Sequence, residues 1–532
     1  MNNIKYFYLT FILLSVNLFG QNNSISETEN SRPNIVFIMS DDHAVSAVSA
    51  YNDWLAKIAP TPNIDRIAEN GMLMNRVFNT NSICGPSRAS ILTGKYSHVN
   101  GFFKNEKGGD FDGTQITFPK ILQKFGYETA VIGKWHLGTT PTGFNYSKVM
   151  INWGGQGTYF NPVFLENGKD TIVEKNRHST AQVAYDAINW LEKSRDKSKP
   201  FMLMYQFKAP HRPWEPAKEF KSLFKDGDLP HPENFNDEYV GREAAKKQWM
   251  EIENHMNRRD LKIPAPKGLS KLELNKYYTY GNKGEFWTPN DSLKGKELKN
   301  WKFQRYIKDY LRCVAGVDKA VGQMLDYLEK NKLMDNTIII YTSDQGFYLG
   351  EHGWFDKRWM YEESFRMPFV ISYPKVIKSK TTNSNLLLNI DFAPTLLDLA
   401  EIDIPKDIQG TSFAPQLKLN NDNVRDAIYY HYYEYPKWHM VEPHYGIRTK
   451  RFKLIHFYYS MDEWELYDLD KDPNEMNNLY KNPMYKTLIK KLKIKLKELQ
   501  KEFDDDMSLK EMREMTDVVI ERVYNEDNLK TR

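Results

Sequence analysis

Cysteine is nearly missing from this chain, with two in 532 residues. At most one disulfide can form, which excludes a disulfide-stapled scaffold. Neither sign of charge is in surplus, because 73 basic against 69 acidic side chains leave a formal net charge of +4. That near balance excludes a dedicated nucleic-acid binder, which carries a basic surplus or stripe. Long hydrophobic runs are lacking beyond the N-terminus, so a polytopic membrane protein is excluded, and no fixed-period repeat is visible. What remains, 41% hydrophobic and 27% charged residues, is the composition of a globular protein with material for a large core.

The N-terminus opens with Lys5 ahead of an apolar stretch from Tyr6 to Phe19 and then Gly20-Gln21. A basic start and an apolar run too short for a membrane span predict a secretory signal peptide over residues 1–20, with an uncleaved anchor as the alternative. Residues 21–31 read as a polar linker. A secreted or periplasmic protein with no stable membrane insertion follows, and in such an oxidising compartment a retained cysteine needs a reason.

Four apolar runs of strand length each end in residues that bind metals or move protons. They are Asn34–Ser40 before Asp41-Asp42-His43, Thr129–Ile132 before Gly133-Lys134-Trp135-His136, Phe201–Phe207 before Lys208-Ala-Pro-His211, and Thr337–Ser343 before Asp344-Gln345-Gly346. Runs apolar on both faces suit buried parallel strands, and in open α/β sheets the loops past the carboxyl ends of such strands build the site. Between them, Thr180–Ser194 and Gln304–Lys330 show helical spacing, the latter through Ile307, Leu311, Val314, Val321, Leu325 and Leu328. The expected fold is an α/β catalytic domain over residues 32–423, with 208–300 inserted over the active-site face. A smaller α+β subdomain fills 424–532, with short antiparallel strands and a helix near Leu488–Phe503. Its aromatic and His-rich stretch Tyr429–His444, with Arg448, either lines a sugar pocket or packs strands.

Asp41 and Asp42 are like charges side by side, costly unless a cation neutralises them. With Asp344 and the Gln345 amide they form an all-oxygen set that suits a hard cation such as calcium better than zinc; the alternative is solvated carboxylates and a helix cap. In Ser82-Ile-Cys84-Gly-Pro-Ser-Arg88, Gly-Pro turns the chain and a helix can start at once, placing Cys84 near its N-terminus and Arg88 one turn in. That arrangement allows a nucleophilic cysteine, an anion-binding turn or a buried structural cysteine.

Cys84-Gly-Pro-Ser-Arg88 followed by Leu92-Thr-Gly94 resembles the signature of the type I sulfatases of the alkaline phosphatase superfamily, and Gly133-Lys-Trp-His-Leu-Gly138 resembles their second signature. The Leu466-Tyr-Asp-Leu-Asp-Lys-Asp-Pro473 segment is similar to one near sulfatase C-termini, so the likeness spans nearly the whole chain after the leader. It implies an alkaline-phosphatase-like, mixed and mostly parallel sheet flanked by helices. It also implies that a formylglycine-generating or sulfatase-maturating enzyme oxidises Cys84 to Cα-formylglycine, whose hydrated aldehyde is the nucleophile. Carried over by motif, Asp41, Asp42, Asp344 and Gln345 bind calcium with the Cys84-derived oxygen, Gln345 standing where many relatives have Asn. Arg88 and Lys134 hold the hydrate, His136 takes its proton, and His211 and Lys357 grip the sulfate and help the leaving oxygen depart. The substrate implied is a sulfated polysaccharide or oligosaccharide, with ulvan and glycosaminoglycans as candidates. A phosphodiesterase or phosphonate monoester hydrolase of the same superfamily is the alternative. A non-catalytic glycan-binding relative is a further class, set aside because Cys84, Arg88, Lys134 and His136 are all present. Cys313, within the Gln304–Lys330 pattern, reads as a buried core residue, which leaves no disulfide and one inert thiol.

Overall fold

The computed structural model describes residues 32–105, 110–270, 272–274, 293–418 and 423–530, the side chains of 522–530 excepted. The expected leader and linker lie outside these residues. Ten strands form the main sheet: β1 Asn34–Ser40, β2 Met72–Met74, β3 Glu128–Gly133, β4 Tyr146–Met150, β5 Val163–Glu166, β6 Asp170–Val173, β7 Phe201–Gln206, β8 Thr337–Ser343, β9 Phe369–Ser372 and β10 Thr381–Asn383. Their spatial order is β10-β2-β9-β8-β1-β7-β3-β4-β5-β6. The central five, β8, β1, β7, β3 and β4, run parallel, and antiparallel pairs extend the sheet on both sides. The sheet is therefore mixed and parallel at its centre: the apolar runs predict the parallel strands, and the family resemblance implies the mixed sheet.

Residues alternate between the faces of β1, so both must be covered. Val36 and Ile38 pack with α1 Pro62–Glu69, α4 Ser179–Asn189 and α5 Gly295–Lys330, while Ile35, Phe37 and Met39 pack with α2 Cys84–Thr93, α3 Phe118–Lys124 and α6 Phe392–Leu399. Each such large side chain taken fully from water contributes roughly 1.5–3 kcal/mol. α5 begins at Gly295, before its apolar repeat becomes legible at Gln304, and it carries Cys313 into the core. Cys84 and Cys313 are both buried and unpaired. Among the described residues no helix is long and apolar enough to cross a membrane.

The smaller C-terminal subdomain is a four-stranded antiparallel sheet, β11 Ala427–Tyr432, β12 His444–Thr449, β13 Phe452–Phe457 and β14 Glu463–Asp468, backed by α7 Lys486–Glu502. Tyr429, Tyr430 and Tyr432 are buried in its core, and Arg448 pairs with Glu362 through contacts of 3.2 and 3.1 Å, so these residues pack strands. His444 is locked neutral there. Its Nδ1 donates to the Glu442 carbonyl at 2.7 Å and its Nε2 accepts from the Met360 N–H at 3.2 Å. Burial pushes its pKa from the ordinary 6.5 down to about 3. The folded value lies below the unfolded one, so this contribution is complete above about pH 6.5 and is lost as pH falls toward about 3. Within that window each pH unit removes at most about 1.4 kcal/mol. His444→Gln is therefore expected to flatten the fall of melting temperature between about pH 6 and pH 4; a slope identical to wild type would refute the assignment.

Candidate functional site

The register of the central strands brings the predicted residues together. Ser40 of β1 pairs with Ser343 of β8, Met39 with Gln206 of β7, and Gln206 with Gly133 of β3, so four strands end at one level. Asp41, Asp344 and Lys134, directly after three of these strands, and Lys208, two residues after β7, follow at that level. Two backbone features sharpen this convergence. Asp42 has φ 66°, a left-handed conformation that short polar side chains tolerate, and its N–H donates to Asp344 Oδ1 at 3.1 Å. Gly133 has φ 113°, and a Cβ there would lie 1.8 Å from the Gln206 carbonyl oxygen, so only glycine lets β3 close against β7 and release Lys134 into the site.

α2 supplies the rest. It starts at Cys84, whose thiol is buried, and Arg88 one turn later donates from Nε to Asp344 Oδ2 at 2.9 Å and from Nη1 to Gln206 Oε1 at 3.0 Å. Ser87 Oγ donates to the Asp344 carbonyl and accepts from Asn389 Nδ2 at 2.9 Å, which ties the helix start to the end of β8. Lys357 donates to Asp42 and, at 3.1 Å, to Cys84 Sγ. Lys134 donates to Asp41 and, at 2.7 Å, to Gln156 Oε1. His211 presents Nε2 at 3.7 Å from Asp42 Oδ2, its ring held by Nδ1 donating to the Arg212 carbonyl at 2.7 Å. His136 sits at φ 56° with its Nδ1 buried and without a partner among the described residues. Every residue that the sequence nominates, Asp41, Asp42, Cys84, Arg88, Lys134, His136, His211, Asp344, Gln345 and Lys357, thus belongs to one cluster. Arg88 points at Asp344, however, and it is Lys357 that touches the cysteine.

The electrostatics are those of a crowded buried site. Burial, and then Asp41 and Asp344 against the relief from Lys357, pushes the Asp42 carboxyl up to about 7. Burial works against Asp41 too, yet Lys134, His211 and Arg88 outweigh it and hold that carboxyl well below the usual range. Burial pushes the Cys84 thiol up to about 12 despite Lys134 and Lys357, so helix N-terminus and cations do not make it a thiolate. Burial first, then neighbouring lysines, holds His136 and His211 well below the ordinary histidine value, and both rings are neutral near pH 7.

A cation fits this donor set. Asp41 Oδ1, Asp42 Oδ2 and Gln345 Oε1 are buried oxygens without hydrogen-bond partners among the described residues, and Asp41, Asp42 and Asp344 each offer an oxygen within 4.8 Å of the others. Unpartnered buried oxygens of this kind are costly, and a hard divalent ion satisfies them.

Sequence reasoning missed four supports. Gln206, the last residue of β7, was reachable by the same strand-end logic as its neighbours. Lys208, whose pKa burial and Lys134 lower to about 7, directly follows the apolar run Phe201–Phe207 and was reachable by the same logic. Gln156 sits in a glycine-rich turn with no local signal, and Tyr310, which donates to the Asp42 carbonyl at 2.7 Å, lies on the core face of α5. A further histidine of the segment after β8, His352, lies apart from the cluster, bonded to Asp237 at 2.6 Å among Trp354 and Tyr361. From the C-terminal subdomain, Tyr430 and Glu434 bond Arg358, at its carbonyl at 3.0 Å and its guanidinium at 2.9 Å, and His439 lies 3.2 Å from Asp356.

The sulfatase family model matches residues 33–402, and the model for the C-terminal part of N-sulphoglucosamine sulphohydrolase matches 350–502. N-acetylglucosamine-6-O-sulfatase of Bacteroides thetaiotaomicron is 48% identical over 499 residues, which span 90% of this chain and 88% of that protein. Arylsulfatase of Clostridium perfringens is 30% identical, over 88% of this chain and 95% of that protein. A solved structure of a protein in complex with its substrate, D-glucosamine-2-N,6-O-disulfate, is 47% identical with a TM-score of 0.83, over 89% of this chain and 99% of that one.

Proposed function

The chain belongs to the sulfatase family, and from that premise we propose that it removes the 6-O-sulfate of a glucosamine-type sugar derived from a glycosaminoglycan. The observation that carries this reading is the buried convergence of Cys84, Lys357, Lys134 and the three carboxylates in a chain close to half identical to a glucosamine-6-O-sulfatase. At that level of identity both named relatives act on glucosamine, which favours a glycosaminoglycan sugar over ulvan. None of the named relatives favours a phosphodiesterase or phosphonate hydrolase. The leader-like residues 1–20 support a secreted or periplasmic location.

Cys84 is the residue for a maturating enzyme to convert to Cα-formylglycine, which when hydrated supplies a hydroxyl for attack on sulfur and a second one for sulfate release. Asp41, Asp42, Asp344 and Gln345, with the oxygen at position 84, are placed to hold calcium, which when bound supplies positive charge to the sulfuryl oxygens. The chain's own residues do the rest. Lys357 positions the group at residue 84 and sets a positive charge where charge develops on the bridging oxygen. Lys134 and Arg88 anchor Asp41 and Asp344, with Gln156 and Gln206 fixing the two cations in turn. Neutral His136 accepts at Nδ1 the proton given up as sulfate leaves. His211 directs Nε2 into the site; its ring is neutral in the free protein, and the negative charge of an arriving sulfate favours the protonated form, which can donate from Nε2 to a sulfate oxygen and to the leaving oxygen.

Chromatographic assay of N-acetylglucosamine carrying sulfate at O6 or O3, of N-acetylgalactosamine-6-sulfate and of ulvan oligosaccharides tests the reading. Release from 6-sulfated glucosamine is expected to exceed the others by about 100-fold or more, since a pocket that hydrogen-bonds the correct hydroxyls leaves polar groups unpaired with the wrong sugar. No release from that sugar, or equal release from all, would sink it.

A further inference from the structure

Trp153 is 62% exposed and sits at φ 57° in the turn between β4 and β5. That turn is bolted to the reaction centre. A Cβ on Gly155 would meet the His136 Cα at 3.1 Å, and Gln156 Oε1 accepts from Lys134 at 2.7 Å. Three residues of chain span at most about 11 Å, so the exposed Trp153 lies beside the cluster.

The Arg259 guanidinium carbon lies 4.1 Å above the Trp153 ring centroid. A guanidinium lying on an indole is held by its flat face, which leaves the N–H edge open to a planar or tetrahedral anion. Among the described residues, neither a carboxylate nor a carbonyl accepts from that edge. The neighbouring Asp260 is already engaged by Arg212, accepting from its Nε at 3.1 Å and from its Nη2. Lys208 is a second cation without a carboxylate partner among the described residues. It is buried, with its Nζ 3.4 Å from the Arg212 carbonyl and 5.3 Å from the Tyr159 ring centroid. Arg259 is near enough to be one of the charges that disfavour the Lys208 cation. Two basic groups near one another, neither hydrogen-bonded to a carboxylate among the described residues, are relieved by an anion that bonds both.

We propose that Arg259, held flat by Trp153, and Lys208 form a second anion subsite that binds a negatively charged group the substrate carries besides the ester being cleaved. The subsite deepens the sulfatase reading and rests on it, favouring sugars with at least two acidic groups over those that carry only the ester being cleaved. Two sources of that group share the chemistry: a sulfate on the glucosamine nitrogen, or the carboxylate of an adjoining uronic acid. Both match the bidentate edge of a guanidinium.

Steady-state kinetics on three substrates separate the possibilities: N-acetylglucosamine-6-sulfate, glucosamine-2-N,6-O-disulfate, and 6-sulfated N-acetylglucosamine linked to a uronic acid. Arg259→Ala is expected to raise KM for a doubly charged substrate about tenfold more than for the singly charged one, equivalent to about 1.4 kcal/mol of lost binding. Trp153→Ala follows with the same selectivity and a smaller size, and Arg259→Lys recovers part of the loss because it restores the charge without the fork. Selectivity for the disulfate identifies the nitrogen-linked sulfate, and selectivity for the disaccharide identifies the uronate. Equal KM changes on all three substrates, or none, overturn the subsite while leaving the sulfatase reading intact. Wild type that cleaves none of the three overturns that reading and the subsite with it.

Discussion

Replacing Cys84 with alanine is expected to reduce turnover of a 6-sulfated glucosamine by about 10^5-fold or more, the scale on which removing a covalent nucleophile acts. The protein is expected to stay folded, because the change removes one sulfur from a buried position and costs only about 1 kcal/mol. The loss follows from what surrounds the side chain. Lys357 Nζ lies 3.1 Å from Sγ, and Asp41 and His211 each offer a ligand atom in the same small cluster, so no other group can take that place. Cys84→Ser is expected to fail as completely, since a single hydroxyl lacks the second one that the hydrated aldehyde supplies. Burial pushing the thiol up to about 12 makes an unmodified cysteine a poor nucleophile near neutrality. Peptide mass spectrometry of active protein should therefore find residue 84 converted to the aldehyde. Full activity of the alanine variant, or an unmodified thiol in fully active protein, would end the proposal.

Stripping divalent cations is expected to bring activity to background, and calcium to restore it. Asp344→Asn should lower kcat by about 10^3-fold, the upper end for losing one electrostatic stabiliser. Asp344 is the point where two networks meet. Its Oδ1 accepts from the Asp42 N–H, and its Oδ2 accepts from Arg88, so one carboxylate braces both the oxygen cluster and α2. An asparagine keeps the shape but takes from the buried Arg88 its nearer counter-charge and leaves only Asp41 at 3.9 Å, a loss that is costly in apolar surroundings. Calcium should also raise the melting temperature of the wild type, since a ligand at 100 times its Kd adds about 2.7 kcal/mol to folding. Elemental analysis with kinetics before and after chelation checks this. Full activity in cation-free protein would refute the metal site, and a calcium-dependent melting shift that persists in Asp344→Asn would move the site elsewhere.

The strands that build the site were legible because each is a run apolar on both faces, and only a sheet covered by helices on both sides can bury such a run. The residues after them were legible for a related reason. Asp41-Asp42, Lys134, His136, His211 and Asp344 are polar groups placed directly against an apolar run, where chain continuity forces them to the sheet's edge. Cys84 and Arg88 were legible through a motif that resembles a known signature, and composition alone left the cysteine open among three roles.

Contacts between segments far apart in sequence were decided by the fold. That Lys357, not Arg88, faces Cys84 depends on where the chain after β8 returns, and no local pattern encodes that distance. Gln156 and Tyr310 bear on the site from a turn and from a helix core face, because the β4–β5 turn and α5 happen to meet it. The pairing of Arg259 with Trp153 joins residues more than a hundred positions apart. By itself the sequence determined the central strands, their helical cover and the polar residues that follow those strands, since local polarity and periodicity dictate what must be buried. Only the tertiary structure decided which charge neutralises which, because Coulomb and hydrogen-bond terms act over a few ångströms and those separations exist only once the chain has folded.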